Sequence, residues 1–182
     1  MSAELDRLFE PRVLSARAWR LRADTPLAGW PRLASLDGLA GAGEAAGAGR
    51  MVRVDVSMHE DDSGAPVLEG DVNVTTRCIC QRCLEEMELA LHAQPKLFFG
   101  RAEQLGEAAI AAGVELCEPE PGMTLRQLLE DEALLSMPAF PVHERSEDCG
   151  MLAARLAELE PAEGGEKSSS PFAVLAELKR KN

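Results

Sequence analysis

The stretch that decides the fold is Leu68-Glu69-Gly70-Asp71-Val72-Asn73-Val74-Thr75-Thr76-Arg77-Cys78-Ile79-Cys80-Gln81-Arg82-Cys83. Leu68, Gly70, Val72 and Val74 alternate with Glu69, Asp71, Asn73 and Thr75. A period of two is the mark of a strand with one face buried and one face wet. The run ends in three cysteines within six residues, among them the C-x-x-C pair Cys80 and Cys83. Such a pair at a turn between strands is a common metal-knuckle or redox position.

The same alternation lies on both sides of this stretch. Upstream, Val52, Val54, Val56 and Met58 alternate with Arg53, Asp55 and Ser57, and Glu60-Asp61-Asp62-Ser63-Gly64 supplies a turn. Downstream, Met87, Leu89, Leu91 and Ala93 continue it, and Leu97-Phe98-Phe99 resumes beyond Pro95, which marks an edge or a bulge. The expected fold is therefore α+β, with an antiparallel sheet of three or more strands over about 50–58, 67–76 and 86–99. Arg20-Leu21-Arg22 also alternates, as an edge strand with Trp19 in the core.

Helices are expected near 102–112, from its alanines, and over 124–137. Thr124 and Gln127 have capping-box spacing, Leu125, Leu128, Leu129 and Leu135 form an apolar stripe, and Pro138 stops the helix. Glu130-Asp131-Glu132 fans around that helix, so at least one acid needs a partner near the apolar face, with Arg82 as a candidate. Trp30 to Leu39 reads as a short helix or turn, and the Gly/Ala run 38–49 as a flexible loop. The segment 1–160 reads as one domain, 161–170 as a polar linker, and 171–182 as a short C-terminal helix that must dock on something.

The net charge of −12 is unevenly spread: residues 54–170 carry 24 acids against eight basic residues, and residues 1–53 carry eight arginines against six acids. The acidic middle would repel a phosphate backbone and suits a basic protein partner. Contacts to RNA then fall to Arg12, Arg17, Arg20 and Arg22, and contacts of the C-terminal segment to Phe172, Leu175 and Lys179. No apolar run is long enough to span a membrane, the start lacks a secretory signal pattern, and five cysteines, an odd number with three of them clustered, do not make a disulfide framework. A cytoplasmic protein is expected.

The residues resemble the YceD family of large ribosomal RNA subunit accumulation proteins. The resemblance rests on Gly70-Asp71 leading to Cys80-Gln81-Arg82-Cys83, on Glu130-Asp131-Glu132 through Met137-Pro138 and Pro141-Val142-His143 to Cys149, and on Pro171-Phe172-Ala173-Val174-Leu175-Ala176 with Leu178-Lys179. It implies a non-enzymatic ribosome-assembly factor that supports synthesis, processing or stability of large-subunit (23S) rRNA. Its partners would be pre-ribosomal RNA or a basic large-subunit ribosomal protein. The family supplies no catalytic residues. Other branches carry a second cysteine cluster where this chain keeps only His143 and Cys149, and Cys78 is additional.

Three readings of the cysteines stay open. The pair Cys80 and Cys83 forms a metal-free structural turn, or joins His143 and Cys149 around one structural zinc if the proline-rich loop folds back over the turn, or acts as a redox dithiol. The alternative function is accordingly a zinc- or thiol-dependent enzyme, either a dithiol oxidoreductase or an RNA-processing hydrolase. Cys117 reads as a small buried hydrophobe, and His59 and His92 lie outside any ligand spacing.

Overall fold

The computed structural model describes residues 2–37, 47–101, 103, 106–111, 113–118 and 120–159. The chain divides into two compact units between His143 and Glu144.

The first unit is built on a sheet. Its strands are β1 (Arg20–Pro26), β2 (Met51–Glu60), β3 (Pro66–Ile79), β4 (Glu86–Ala93), β5 (Lys96–Phe98) and β6 (Glu115–Leu116). The order is β1-β2-β3-β5-β6, with β4 also on β3; all pairs are antiparallel except β5 with β6. Around the sheet lie α1 (Ser2–Leu5), α2 (Pro11–Ser15), α3 (Pro31–Asp37), α4 (Glu107–Ala111) and α5 (Leu125–Leu135). The sheet is thus α+β and mostly antiparallel, as the alternation predicts. The expected helix near 102–112 is seen as the shorter α4, after which Gly113 turns the chain at φ +78°.

One face of the sheet makes the core. Leu21 and Ala23 of β1, Val52, Val54, Val56 and Met58 of β2, Leu68, Val72 and Val74 of β3 and Leu89, Leu91 and Ala93 of β4 are all buried, with Leu33, Leu125, Leu128, Leu129 and Ala133 from the helices. The opposite face is mostly polar, with a small second buried cluster of Ala65, Val67 and Phe98 where β3 meets β5. Trp30 is wholly buried, its Nε1–H donating to Thr25 Oγ1 at 2.9 Å, whereas Trp19 is half-buried against the core margin.

Helix α5 starts as its sequence requires: Thr124 accepts from the Gln127 N–H, and the Gln127 side chain accepts from the Thr124 N–H at 2.8 Å. Glu130 is buried on its inner side. It accepts from the N–H groups of Arg32 (2.8 Å) and Leu33 (3.0 Å), the open amides at the start of α3, with the Arg32 guanidinium 3.5 Å away.

The strand expected over 86–99 is one strand in register and two in bonding. Val72↔Ala93 and Glu69↔Lys96 belong to the same pairing of β3 with its neighbour, so the register runs unbroken from β4 into β5. The interruption falls at Gln94-Pro95, opposite Gly70. Proline has no N–H for the ladder. On its other side Gly70 pairs with Val56 so closely that a Cβ would stand 2.1 Å from the Asp55 carbonyl oxygen and 2.6 Å from Val56 Cα. Only glycine fits there, at φ +151°.

Asp37, at the end of α3, is fully buried among charges. It accepts from the Arg77 N–H (3.0 Å), the Arg77 guanidinium (3.1 Å) and the Gly47 N–H (2.8 Å), and Arg50 Nε lies 3.4 Å away. The Arg77 guanidinium, opposed by burial and helped by the two N–H groups, holds this carboxyl down at about 2.

The second unit, among the described residues, holds a short turn at Ser146–Asp148 and α6 (Gly150–Leu159), with an Arg145–Asp148 ion pair at 3.0 Å. No helix of the described residues is long and apolar enough to cross a membrane.

Two substitutions test this frame. Gly70→Ala should lower stability in urea unfolding by about 2 kcal/mol or more, because the backbone of β2 must move. Asp37→Asn should cost about 2 kcal/mol at neutral pH, since it takes a buried carboxylate from two partly exposed guanidinium groups and two backbone N–H groups. A carboxyl with a depressed folded pKa stabilises above its unfolded pKa, near 4, and loses that effect as the pH falls toward 2. The gap between wild type and Asp37→Asn should therefore close between about pH 4 and pH 2. A gap that stays constant with pH would refute the assignment.

Candidate metal centre

The hairpin between β3 and β4 closes with the cysteine turn. The Cys80 N–H donates to the Glu85 carbonyl and the Leu84 N–H to the Cys80 carbonyl, both at 2.9 Å. Leu84 closes the loop at φ +62°, a left-handed conformation that is costly for a side chain with a Cβ, and its side chain is exposed. The Gln81 N–H donates to the Pro141 carbonyl at 2.8 Å, so the proline-rich loop does fold back against the turn. That loop ends at His143, whose Nδ1 is 3.6 Å from Cys83 Sγ.

The turn gathers donors on one sulfur. Burial works against a Cys80 thiolate, but the N–H groups of Cys83, His143 and Arg82 point at Sγ, as does the Cys83 thiol. The Arg82 N–H is 3.4 Å from it. Their sum lowers the Cys80 pKa below that of an ordinary thiol, which favours the thiolate.

Cys149 is buried at the start of α6, its N–H on the Ser146 carbonyl at 3.1 Å and its own carbonyl accepting from Leu152 and Ala153. Within the first unit Cys80, Cys83 and His143 each offer one ligand atom, and the three atoms lie within 4.8 Å of one another; Cys149, the fourth candidate, belongs to the second unit. Tetrahedral zinc with bonds of about 2.3 Å needs its ligand atoms about 3.8 Å apart, so small side-chain adjustments suffice. The group can hold a metal ion. Cys78 and Cys117 stand outside it: Cys78 is buried on the core face of β3, and Cys117 is half-buried at the core margin.

The predicted contact arginines separate. Arg20 and Arg22 share Asp55 on the wet face of the sheet, at 3.0 and 2.7 Å. Arg12 and Arg17 are exposed and line different clefts, Arg12 with Phe99 and Arg101, Arg17 with Arg7 and Trp19. Phe172, Leu175 and Lys179, with the linker and the C-terminal segment, lie outside the described residues, as do residues 38–46 of the Gly/Ala loop. His59 and His92 are surface side chains beside Glu69 and Asp71. The sequence reading missed Asp37 and the strained Leu84. Asp37 carries no local signal, whereas the position after a C-x-x-C turn is one where a left-handed residue closes the loop.

The comparisons with known proteins bear on residues of both units. A family model described as Large ribosomal RNA subunit accumulation protein YceD matches residues 68–179. A Haemophilus influenzae protein of that same name is 32% identical over 133 residues, 71% of this chain and 74% of the relative. No solved structure matches. The matched span takes in β3, the cysteine turn, His143 and Cys149, and leaves out Arg12, Arg17, Arg20 and Arg22. The chain belongs to the YceD family of large ribosomal RNA subunit accumulation proteins.

Proposed function

We propose that this chain is a non-enzymatic ribosome-assembly factor acting on large-subunit rRNA through a binding partner on the precursor particle, and that Cys80, Cys83, His143 and Cys149 hold one structural zinc. The family match over residues 68–179 carries this reading. The donor set supports its second half. Three thiols and an imidazole fill all four positions of a tetrahedral zinc, which is the pattern of structural sites; hydrolytic sites keep one position for water. The arrangement therefore speaks against the hydrolase alternative. A thioredoxin-like redox dithiol sits at a strand-to-helix turn, whereas Cys80 and Cys83 lie in the turn between the two strands β3 and β4.

Charge favours a basic protein over RNA as the direct partner. Arg20 and Arg22 are committed to Asp55, Arg50 and Arg77 to Asp37, Arg32 to Asp131 and Arg126 to Asp6. Guanidinium groups already neutralised release few counterions from a phosphate backbone. Arg12 and Arg17, with the segment 171–182 through Phe172, Leu175 and Lys179, are the contacts assigned to rRNA or to the particle.

Two experiments test this. Elemental analysis of the purified chain should find one zinc per molecule. Cys80→Ser should lose most of it, with a melting midpoint lower by about 5 °C or more. Full stability in a zinc-free preparation would overturn the metal assignment. Separately, the tagged chain captured from growing cells should bring down large-subunit rRNA and its proteins. After nuclease, a basic large-subunit ribosomal protein should remain. Recovery of neither would overturn the assembly reading.

A further inference from the structure

Among the described residues strand β4 pairs with β3 and with no other strand. The hairpin bond from the Cys80 N–H to the Glu85 carbonyl sets the phase of the ladder. With Ile79 opposite Glu86, the residues bonding to β3 are Met87, Leu89, Leu91 and Ala93. The amides and carbonyls of Glu86, Glu88, Ala90 and His92 face the other way. Arg77 verifies this phase: it is opposite Glu88, and its N–H points away from β4, to Asp37.

Edges of this kind are normally protected by proline, charged side chains (lysine above all), a bulge or a covering element, and here the charges are the acids Glu86 and Glu88, which deter an acidic strand and admit a basic one. Residues 86–93 contain no proline, lysine or glycine, whereas the opposite edge strand, β1, carries Arg20 and Arg22 and ends in Pro26. The same side of the sheet already accepts an added strand a few residues on. Strand β5 continues β4 in register, and β6 pairs with it in parallel. The surroundings are acidic. Glu86 and Glu88 are 51% and 70% exposed, and although they lean toward Arg77 and Arg50, those two arginines also serve Asp37. At β6, burial together with Glu115 and Asp131 raises the pKa of Glu132, which places three further acids together.

We propose that the free edge of β4 binds an extended, basic polypeptide segment of a partner protein as an added strand. The outward amides and carbonyls of Glu86, Glu88, Ala90 and His92 make the ladder, and the acids select for lysine and arginine. This deepens the assembly-factor reading and rests on it for the source of the partner, though not for the chemistry of the edge. An RNA strand has no ladder of amides to offer, and its phosphates would meet these acids.

The test uses the full chain with two short peptides, one alternating lysine with valine and one alternating glutamate with valine. The lysine peptide should bind at least about 10-fold tighter. It should slow hydrogen exchange at Glu86, Glu88, Ala90 and His92, where the free chain exchanges fast. Ala90→Pro removes one outward N–H and no bond to β3, so it should weaken binding at least about 10-fold at an unchanged melting midpoint. If that variant does not fold, Glu86→Lys with Glu88→Lys should erase the preference for the lysine peptide. Protection at other amides, equal affinity for both peptides, or protection of these amides by self-association alone would each overturn the proposal. A chain that captures precursor particles but shows no edge protection sinks this inference and leaves the assembly reading standing. Edge protection without particle capture does the reverse.

Discussion

Strand β3 is fourteen residues long, and both of its edges must find hydrogen-bond partners along that length. Much of the first unit follows from how they do so. On one edge β2 serves from Pro66 to Val74 and then runs out. There the backbone partners become side chains: the Asp37 carboxylate takes the Arg77 N–H, and Arg50 reaches the Thr75 carbonyl at 3.5 Å. On the other edge β5 serves Val67 to Glu69 and β4 serves Val72 to Ile79, with the gap at Gly70 matched to Pro95. Three residues that look unrelated in the sequence, Asp37, Gly70 and Pro95, thus answer one requirement.

The same requirement carries β3 beyond β2 and projects the cysteine turn from the end of the β3–β4 hairpin. The overrun past Val74 is anchored from α3 by a buried ion pair, which would be weakly stabilising by itself but is expensive to break. The anchor fixes Arg77, the hairpin ladder from Cys78↔Met87 to Ile79↔Glu86 fixes the turn, and Gln81 takes hold of Pro141. The position of His143 against Cys83 therefore traces back to the ladder.

What was legible in the sequence was whatever repeats. Alternation disclosed β2, β3 and β4, because one face of each strand is apolar and the other polar. Thr124 and Gln127 disclosed the start of α5, because that interaction is local. Strand β6 was hidden, since two exposed residues leave no period to read. The partner of Glu130 was hidden for a different reason: it lies 98 residues upstream, and nothing at Arg32 or Leu33 announces that their amides need a carboxylate. Asp37 is the extreme case. An aspartate at the end of a short helix beside a Gly/Ala run looks like a surface residue, and its burial depends on Arg77 and Arg50 arriving from elsewhere in the chain. Of the cysteines, spacing picked out Cys80 and Cys83, while the meeting with His143 depends on the path of the proline-rich loop.

The cysteines also show how one residue type takes opposite characters from its surroundings. Cys78 and Cys80 are two residues apart and both buried. At Cys78, burial and the nearby Cys80 sulfur push the pKa up, so it stays a neutral thiol and packs as a small hydrophobe. At Cys117, burial and the acids Glu132, Asp131 and Glu118 push it up to about 11. Cys80 is closed off from solvent as well, yet its pKa is lowered. The difference is a set of backbone N–H groups aimed at its sulfur, which do for the thiolate what water does in solution. A hydrophobic role has no use for that arrangement, since a neutral thiol is content in an apolar pocket. A metal ligand does, because the sulfur must be held as a thiolate and oriented before the ion arrives. The feature that distinguishes Cys80 from Cys78 and Cys117 is the closure of the turn through Arg82, Cys83 and His143.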